Sequence, residues 1–249
     1  MLLLIDAGNS RIKWAVLDSE QASPLGEWAQ HGSLSHQEFS DAIPPWKKFA
    51  ITRVVVSNVA GDMLREQLLK SFSCSAGAVE WIVSQPALAG VKNRYRDPAQ
   101  LGSDRFAAAI AAHALFPEQA LIIATCGTAL TIDAVTADGD FIGGMIAPGL
   151  KLMALSLAQH TAQLPVVSEN KALAAHFADH TEAAMVSGCV AAQAGAIEHA
   201  AREFAVTIHA EPRCVVSGGA ANYIIPSLGI SHKFVDNLVL IGLQVISSC

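Results

Sequence analysis

The stretch Asp6-Ala7-Gly8-Asn9-Ser10 lies between the apolar run Leu2 to Ile5 and the alternating run Arg11-Ile12-Lys13-Trp14-Ala15-Val16-Leu17. An apolar strand, a glycine-centred turn and an alternating strand together predict a β-hairpin. Asp6 ends the first strand, where its carboxylate can face a cleft and hold a hydrated Mg²⁺. Gly8 lets the backbone approach an anion closely, and Asn9 and Ser10 add side-chain donors. The N–H groups of such a turn can cradle phosphate without a Walker lysine. The same turn chemistry also occurs in hairpins that bind nothing.

A second copy strengthens the phosphate reading. Leu121-Ile122-Ile123-Ala124-Thr125-Cys126-Gly127-Thr128-Ala129-Leu130-Thr131-Ile132-Asp133-Ala134-Val135 aligns without gaps on Leu2 to Val16. Gly127 falls on Gly8, Thr128 on Asn9, and Thr125 takes the place of Asp6. Two such hairpins, one near the start of each half, predict a duplicated α/β architecture with nucleotide held between lobes 1–117 and 118–249.

Hydrophobic residues make up 52% and charged residues 15% of the 249, which predicts extensive burial and excludes a disordered chain. No stretch reaches the roughly 18 uninterrupted apolar residues of a membrane span, and no basic n-region precedes Asp6, so neither anchor nor secretory signal is expected. The formal net charge of -6 disfavours a nucleic-acid footprint. Cys74, Cys126, Cys189, Cys214 and Cys249 are scattered and form no C-x-x-C pair, which fits reduced thiols in the cytoplasm. Cys126, within the second turn, is either a small apolar filler or a reactive thiol, and the filler reading is favoured. His176 and His180, spaced i, i+4 on an expected helix, could share a metal, but a solvated face is favoured.

Further along, a third strand is expected at Gly26 to His31, a polar helix from near Ser35, a buried strand at Val54 to Ser57 and a helix from Asp62 to Phe72. Trp81 to Val83 reads as a short strand, and Val91 to Gln100 as a loop over a cleft. Ser103 or Asp104 is expected to cap the Ala-rich helix that ends before Pro117. In the second half, Gly143-Gly144-Met145-Ile146-Ala147-Pro148-Gly149 leads into a helix from Leu150 to Thr161. Thr181 starts a long Ala-rich helix, and Cys214-Val215-Val216-Ser217 runs into the glycine turn Gly218-Gly219. Such a turn suits a flat adenine or ribose laid against backbone, or a plain strand-to-helix bend. The Ala-rich helices Phe106 to Phe116 and Glu182 to Ala201 carry few polar residues, which points to a C₂ homodimer.

In this order and spacing, the hairpins, Tyr95, Gly102-Ser103-Asp104-Arg105, the Gly-Gly-Met-Ile-Ala-Pro-Gly element, Leu164-Pro165, Thr181 with Gly188, and Ser217-Gly218-Gly219 resemble the type III pantothenate kinases, also called CoaX or Bvg accessory factor-like proteins. The resemblance covers nearly the whole chain. It implies a duplicated actin/hexokinase/Hsp70-like (ASKHA) ATPase fold, a homodimer, and ATP-dependent phosphorylation of pantothenate, the first step of coenzyme A synthesis. It implies Asp104 as catalytic base, a role in which a carboxylate receives the hydroxyl proton as the phosphoryl group arrives. Taken alone, Asp104 would read as a helix cap and Arg105 as a surface ion pair. Asp6 would hold Mg²⁺; Ala7, Gly8, Asn9, Ser10, Arg11, Ile12 and Lys13, with Gly127, Thr128, Gly218 and Gly219, would bind ATP. Tyr95, Gly102, Ser103, Asp104, Arg105 and Thr181 match substrate-binding positions. The family uses a monovalent cation, K⁺ or NH₄⁺, held by the residue at position 125; a neutral Thr125 implies weak binding or none. Another small-molecule kinase of the same superfamily, or a nucleotide-binding accessory protein without turnover, are the competing readings.

Overall fold

The computed structural model of the chain describes residues 1–18, 23–72, 79–161, 164–165 and 176–249; Cys74 lies outside them. They divide into two compact units, one of Met1–Pro117, Gly139–Phe141 and Asn237–Cys249, the other of Glu118–Asp138 and Ile142–Asp236.

In the first unit β1 (Leu2–Ala7) and β2 (Arg11–Leu17) form the antiparallel hairpin, and β3 (Gln30–Ser35) extends it. β4 (Arg53–Asn58) runs parallel to β1 and β5 (Val79–Trp81) parallel to β4, giving the order β3-β2-β1-β4-β5. Alternation along the strands assigns two faces. Leu3, Ile5, Ile12, Trp14, Val16, Val54 and Val56 share a core with Phe39 and Trp46, and with Leu64 and Leu68 of α2 (Asp62–Ser71). Leu4, Val55, Ala15 and Ser57 are buried on the opposite face, which the half-buried Asp6 and Lys13 share, and there α3 (Ser103–Leu115) and α7 (Leu238–Ser247) pack.

The third strand starts later than the sequence predicts. Pro24 to Glu27 makes a hydrogen-bonded turn with Gly26 at φ 84°, a left-handed value that a strand cannot pass through. α1 (His36–Asp41) then begins on a capping box, Ser35 Oγ accepting from Glu38 N–H and Glu38 Oε2 from Ser35 N–H. The 91–100 segment is not wholly loop: β6 (Ala87–Leu88) pairs with β7 (Val91–Asn93), and Pro98–Gln100 is a 3₁₀ turn capped by Asp97.

In the second unit β8 (Leu121–Cys126) and β9 (Ala129–Val135) form the second hairpin, with β11 (Arg213–Ser217) parallel to β8 and β12 (His232–Phe234) parallel to β11. With β10 (Asp140–Pro148) these strands run β12-β11-β8-β9-β10, matching position by position the first unit's order read from its other edge, β5-β4-β1-β2-β3. Asp140 and Phe141, at the start of β10, pair with Lys92 and Asn93 in the first unit. The duplication reaches the parallel strand too: Asp6 lies opposite Ser57 and Thr125 opposite Ser217. The segments Arg53-Val54-Val55-Val56-Ser57 and Arg213-Cys214-Val215-Val216-Ser217 are the sequence trace of this, and the hairpin comparison alone does not reach them.

The ungapped alignment needs one correction. Ala7 pairs with Ile12, whereas Cys126 pairs with Leu130, so the second turn is one residue shorter. Turn length sets register, and a one-residue slip exchanges the faces of a strand. The residue opposite Thr125 is therefore Thr131, in the place where Lys13 faces Asp6, while Ile132 enters the core.

α4 (Leu150–His160) packs on α5 (Thr181–Ile208), whose Ala194, Ile197, Ala200 and Phe204 cover the second core; α6 (Ala221–Ile224) completes it. His176 and His180 precede α5 and are not on a common helix; His180 Nδ1 meets Asp179. Among the described residues no group of His, Cys, Asp and Glu is arranged to hold a metal alone, and no helix is long and apolar enough to cross a membrane.

The alanines of α3 have a simpler explanation than a subunit interface: Ala107 to Ala112 are buried within the first unit, with α7 lying along them. Gly242 of α7 meets the Ala107 carbonyl so closely that a Cβ there would collide with it. Gly242→Ala should therefore destabilise the protein by about 1–3 kcal/mol, as overpacking does. Gly195→Ala, at an exposed and open site on α5, should stabilise by about 0.5–1 kcal/mol through helix propensity alone. Urea unfolding of the two variants beside the parent protein checks both.

Candidate active site

Asp6, Lys13 and Ser57 stand side by side on adjacent strands, since Asp6 pairs with Lys13 across the hairpin and with Ser57 across the parallel ladder. The buried Ser57 hydroxyl shares a 2.8 Å hydrogen bond with that of Ser103, which ties the first residue of α3 to the sheet. The next residue, Asp104, is thereby brought close enough to Asp6 for the two carboxyls to repel. Burial is the main cause that lifts the Asp6 carboxyl to about 7, with Lys13 opposing and Asp104 adding to it. Asp104 is also held above the ordinary carboxylate range, chiefly by burial and against the pull of the Arg105 N–H and guanidinium.

The helix start is built differently from the sequence expectation. Neither Ser103 nor Asp104 caps α3; Gly102 is the cap residue. Ser103 is engaged with Ser57, and Asp104 Oδ1 accepts from the Arg105 N–H at 2.8 Å. The Asp104 carboxylate folds back over Gly102, where a Cβ would sit 2.6 Å from Oδ1. That contact explains a glycine two residues before the acid.

Arg105 is buried, an unusual place for a guanidinium without partners. Its Nη1 donates to Tyr95 Oη at 3.0 Å, and it lies over the Tyr95 and Phe141 rings, 5.8 and 5.9 Å from their centroids. The rings pack edge to face at 5.8 Å. Tyr95 is set by Asn93, whose Oδ1 accepts the Tyr95 N–H while its Nδ2 donates to the Pro98 carbonyl. Phe141 is a site residue that sequence reasoning missed; an aromatic at a strand start looks like any core residue.

In the first turn Gly8 N–H donates to the Arg11 carbonyl at 3.1 Å, and His36 Nε2 donates to the Gly8 carbonyl at 2.9 Å. Asn9, Ser10 and Arg11 are exposed; Ala7 and Ile12 are in the core and offer a ligand only backbone. Arg11 Nε donates to Ser33 Oγ at 2.6 Å. In the second turn Gly127 N–H donates to the Ala129 carbonyl and Gly149 N–H to the Thr128 carbonyl, each at 3.0 Å. Gly149 and Gly218 both press on this turn, at Gly127 and Cys126 respectively, so closely that neither tolerates a Cβ; Gly218 also has φ 97°. Gly219 is exposed, and Thr181 is the exposed first residue of α5. Cys126 is a core thiol that burial pushes up to about 12, so it stays protonated and unreactive at neutral pH.

This mixed α/β fold is one that small-molecule kinases also have. Among solved structures, a ROK family glucokinase from Streptomyces griseus matches with a TM-score of 0.52 at 13% identity, covering 100% of this chain and 99% of that one. At the level of sequence, residues 2–203 match the family model for type III pantothenate kinase. The type III pantothenate kinase of Herminiimonas arsenicoxydans is 55% identical over 99% of this chain and 97% of its own. That of Burkholderia mallei (strain ATCC 23344) is 44% identical over 99% of each. The chain belongs to the type III pantothenate kinase family.

Because the folded Asp6 carboxyl titrates above its unfolded value, the stability that goes with its protonated form is fully present below pH 3.8 and is lost as pH rises through about 7. Asp6→Asn should accordingly raise the unfolding temperature at pH 8 and do so less at pH 6. Lys13→Met, which removes the compensating charge, should lower it at pH 8. Thermal melts of the unliganded variants across this range test both directions.

Proposed function

We propose that this enzyme transfers the γ-phosphoryl group of ATP to the primary hydroxyl of pantothenate, giving 4'-phosphopantothenate and ADP, the first step of coenzyme A biosynthesis. The observation that carries the assignment is the pair of neighbouring carboxyls, Asp6 and Asp104, beside a buried Arg105. The matching strand orders of the two units support a duplicated actin/hexokinase/Hsp70-like fold, with lobes 1–117 and 118–249 apart from the pieces that return to the first. In that fold each lobe contributes one phosphate-gripping turn, Gly8 to Ser10 and Gly127 to Thr128, with Gly218 and Gly219 toward the nucleoside.

The pantothenate hydroxyl oxygen attacks the γ-phosphorus, the bond to the ADP oxygen breaks, and the hydroxyl proton passes to Asp104. A carboxylate whose affinity for protons is raised by burial suits that transfer. The transition state of phosphoryl transfer is loose, so positioning and neutralisation of charge contribute more than base strength. Arg105 presents a fixed, always-charged fork to the substrate's carboxylate, oriented by Tyr95 and Phe141. Gly102, Ser103 and Thr181 complete the proposed substrate positions, and the active form is a homodimer. Mg²⁺ is usually held by one or two carboxylates plus phosphate oxygens, a donor set that Asp6, with Asp104 nearby, fits. It would neutralise the phosphate charge and relieve the cost of the buried Asp6 carboxylate.

A coupled assay of ADP release, with and without pantothenate and against a panel of sugars and acetate, tests the reaction. Stimulation by a sugar and not by pantothenate would overturn it. Asp104→Asn should keep the fold and ATP binding but lower kcat by roughly 10²-fold or more; turnover within a few-fold of the parent would remove Asp104 from the base role.

The monovalent-cation position is chemically altered. Where the first unit sets Asp6 beside Lys13 and Ser57, the second sets Thr125 beside Thr131 and Ser217, three hydroxyls. Thr131 Oγ1 is buried with no partner among the described residues. A carboxylate missing from this row weakens a K⁺ or NH₄⁺ site by about 1–3 kcal/mol. In buffer balanced with sodium or Tris, activity should respond little to K⁺, and Thr125→Asp should gain a response. Tight saturation by K⁺ in the parent, unchanged in the variant, would show that position 125 does not set cation affinity.

A further inference from the structure

We infer that His36 is a positioning residue for ATP: it locks the Gly8–Asn9 peptide plane so that the Asn9 N–H faces the phosphates. The inference rests on reading the first turn as a phosphate grip. A trans peptide is planar, and its C=O and N–H point in opposite directions. A donor that captures the carbonyl from one side therefore aims the following N–H to the other. His36 Nε2 lies 2.9 Å from the Gly8 oxygen, and a carbonyl only accepts, so Nε2 carries the proton.

His36 is itself held firmly. β3 ends at Ser35, whose ladder partner is Arg11, so the next residue arrives beside the turn. The Ser35–Glu38 capping box fixes the start of α1 at that residue. Arg11, bonded to Ser33, ties the far side of the turn to the same strand.

The second turn also has a captured carbonyl, at Thr128, the residue aligned with Asn9, one position beyond the counterpart of Gly8. Its Thr128 carbonyl is captured by the Gly149 N–H at 3.0 Å, which turns the Ala129 N–H the opposite way. Pro148, just before Gly149, is in turn held through its carbonyl by Gln193 Nε2 at 2.8 Å. Two turns of one duplicated hairpin thus each have a carbonyl captured, one by an imidazole and one by a main-chain amide. Fixing a carbonyl in each turn suits a grip made of backbone N–H groups, because an anion is bound well only by donors already turned toward it.

The test is calorimetric titration of Mg-ATP, without pantothenate, into the full chain as parent, His36→Ala and His36→Gln, with unfolding temperatures for each. His36→Ala should bind Mg-ATP about tenfold more weakly, the cost of one misaimed donor to an anion. Gln places an amide nitrogen near the imidazole Nε2 position, so His36→Gln should recover affinity to within about threefold. The KM for pantothenate should stay at the parent value in both. Parent-like ATP affinity in His36→Ala would overturn the lock, as would equal weakening in both variants alongside a fall in unfolding temperature. A parent protein that binds Mg-ATP but does not phosphorylate pantothenate would overturn the assigned reaction, and the His36 comparison would still decide the lock.

Discussion

The hydrogen bond between the Ser57 and Ser103 hydroxyls fastens the sheet of the first unit to the helix that carries the proposed base. Much of the site follows from it. With Ser103 held, Asp104 comes up beside Asp6, Arg105 turns inward against Tyr95 and Phe141, and a side chain at Gly102 would displace the Asp104 carboxylate that folds over it. A hydroxyl pair is well suited to such a joint. Each serine can donate or accept, so the bond survives small shifts, and burial makes its loss expensive.

The two units apply one architecture to different electrostatic tasks. Corresponding rows of three side chains cross each sheet, Asp6, Lys13 and Ser57 in one and Thr125, Thr131 and Ser217 in the other. The first row sustains a carboxyl far from its ordinary titration range, a condition that costs stability and is found where charge is put to use. The second carries no charge in that row, and Gly149 and Gly218 approach its turn closely. What remains there is a shaped main-chain surface with neutral oxygens behind it.

Features that repeat locally along the chain were legible in the sequence: both hairpins, the Gly-x-Asp-Arg element at the start of α3, and the glycines after β11. They are legible because turns and strand alternation are written in adjacent residues. Membership of the family came from the order of those elements. What stayed hidden depends on pairing between distant segments. The shortened second turn is invisible to an ungapped comparison, which holds both hairpins to one length. Ser57 and His36 acquire meaning only from what β4 and β3 place next to them. A buried, alanine-rich α3 suggested a partner subunit because nothing near it in sequence announced α7 as its cover.

That cover has a temporal side. α7 joins the first unit from the far end of the chain, after every residue of the second unit. On the ribosome, the strands β1 to β5 and the helix α3 therefore emerge and wait while Glu118 to Asp236 is made, with the alanine face of α3 still open to water. At the usual pace of translation, about 5–20 residues each second, that interval lasts on the order of ten seconds. The second unit, apart from the brief excursion of 139–141, is continuous in sequence, so its core is complete before α7 is made. The core that β1, β2 and β4 share with α1 and α2 can form early, so it is the α3 face, awaiting α7, that a chaperone has reason to hold.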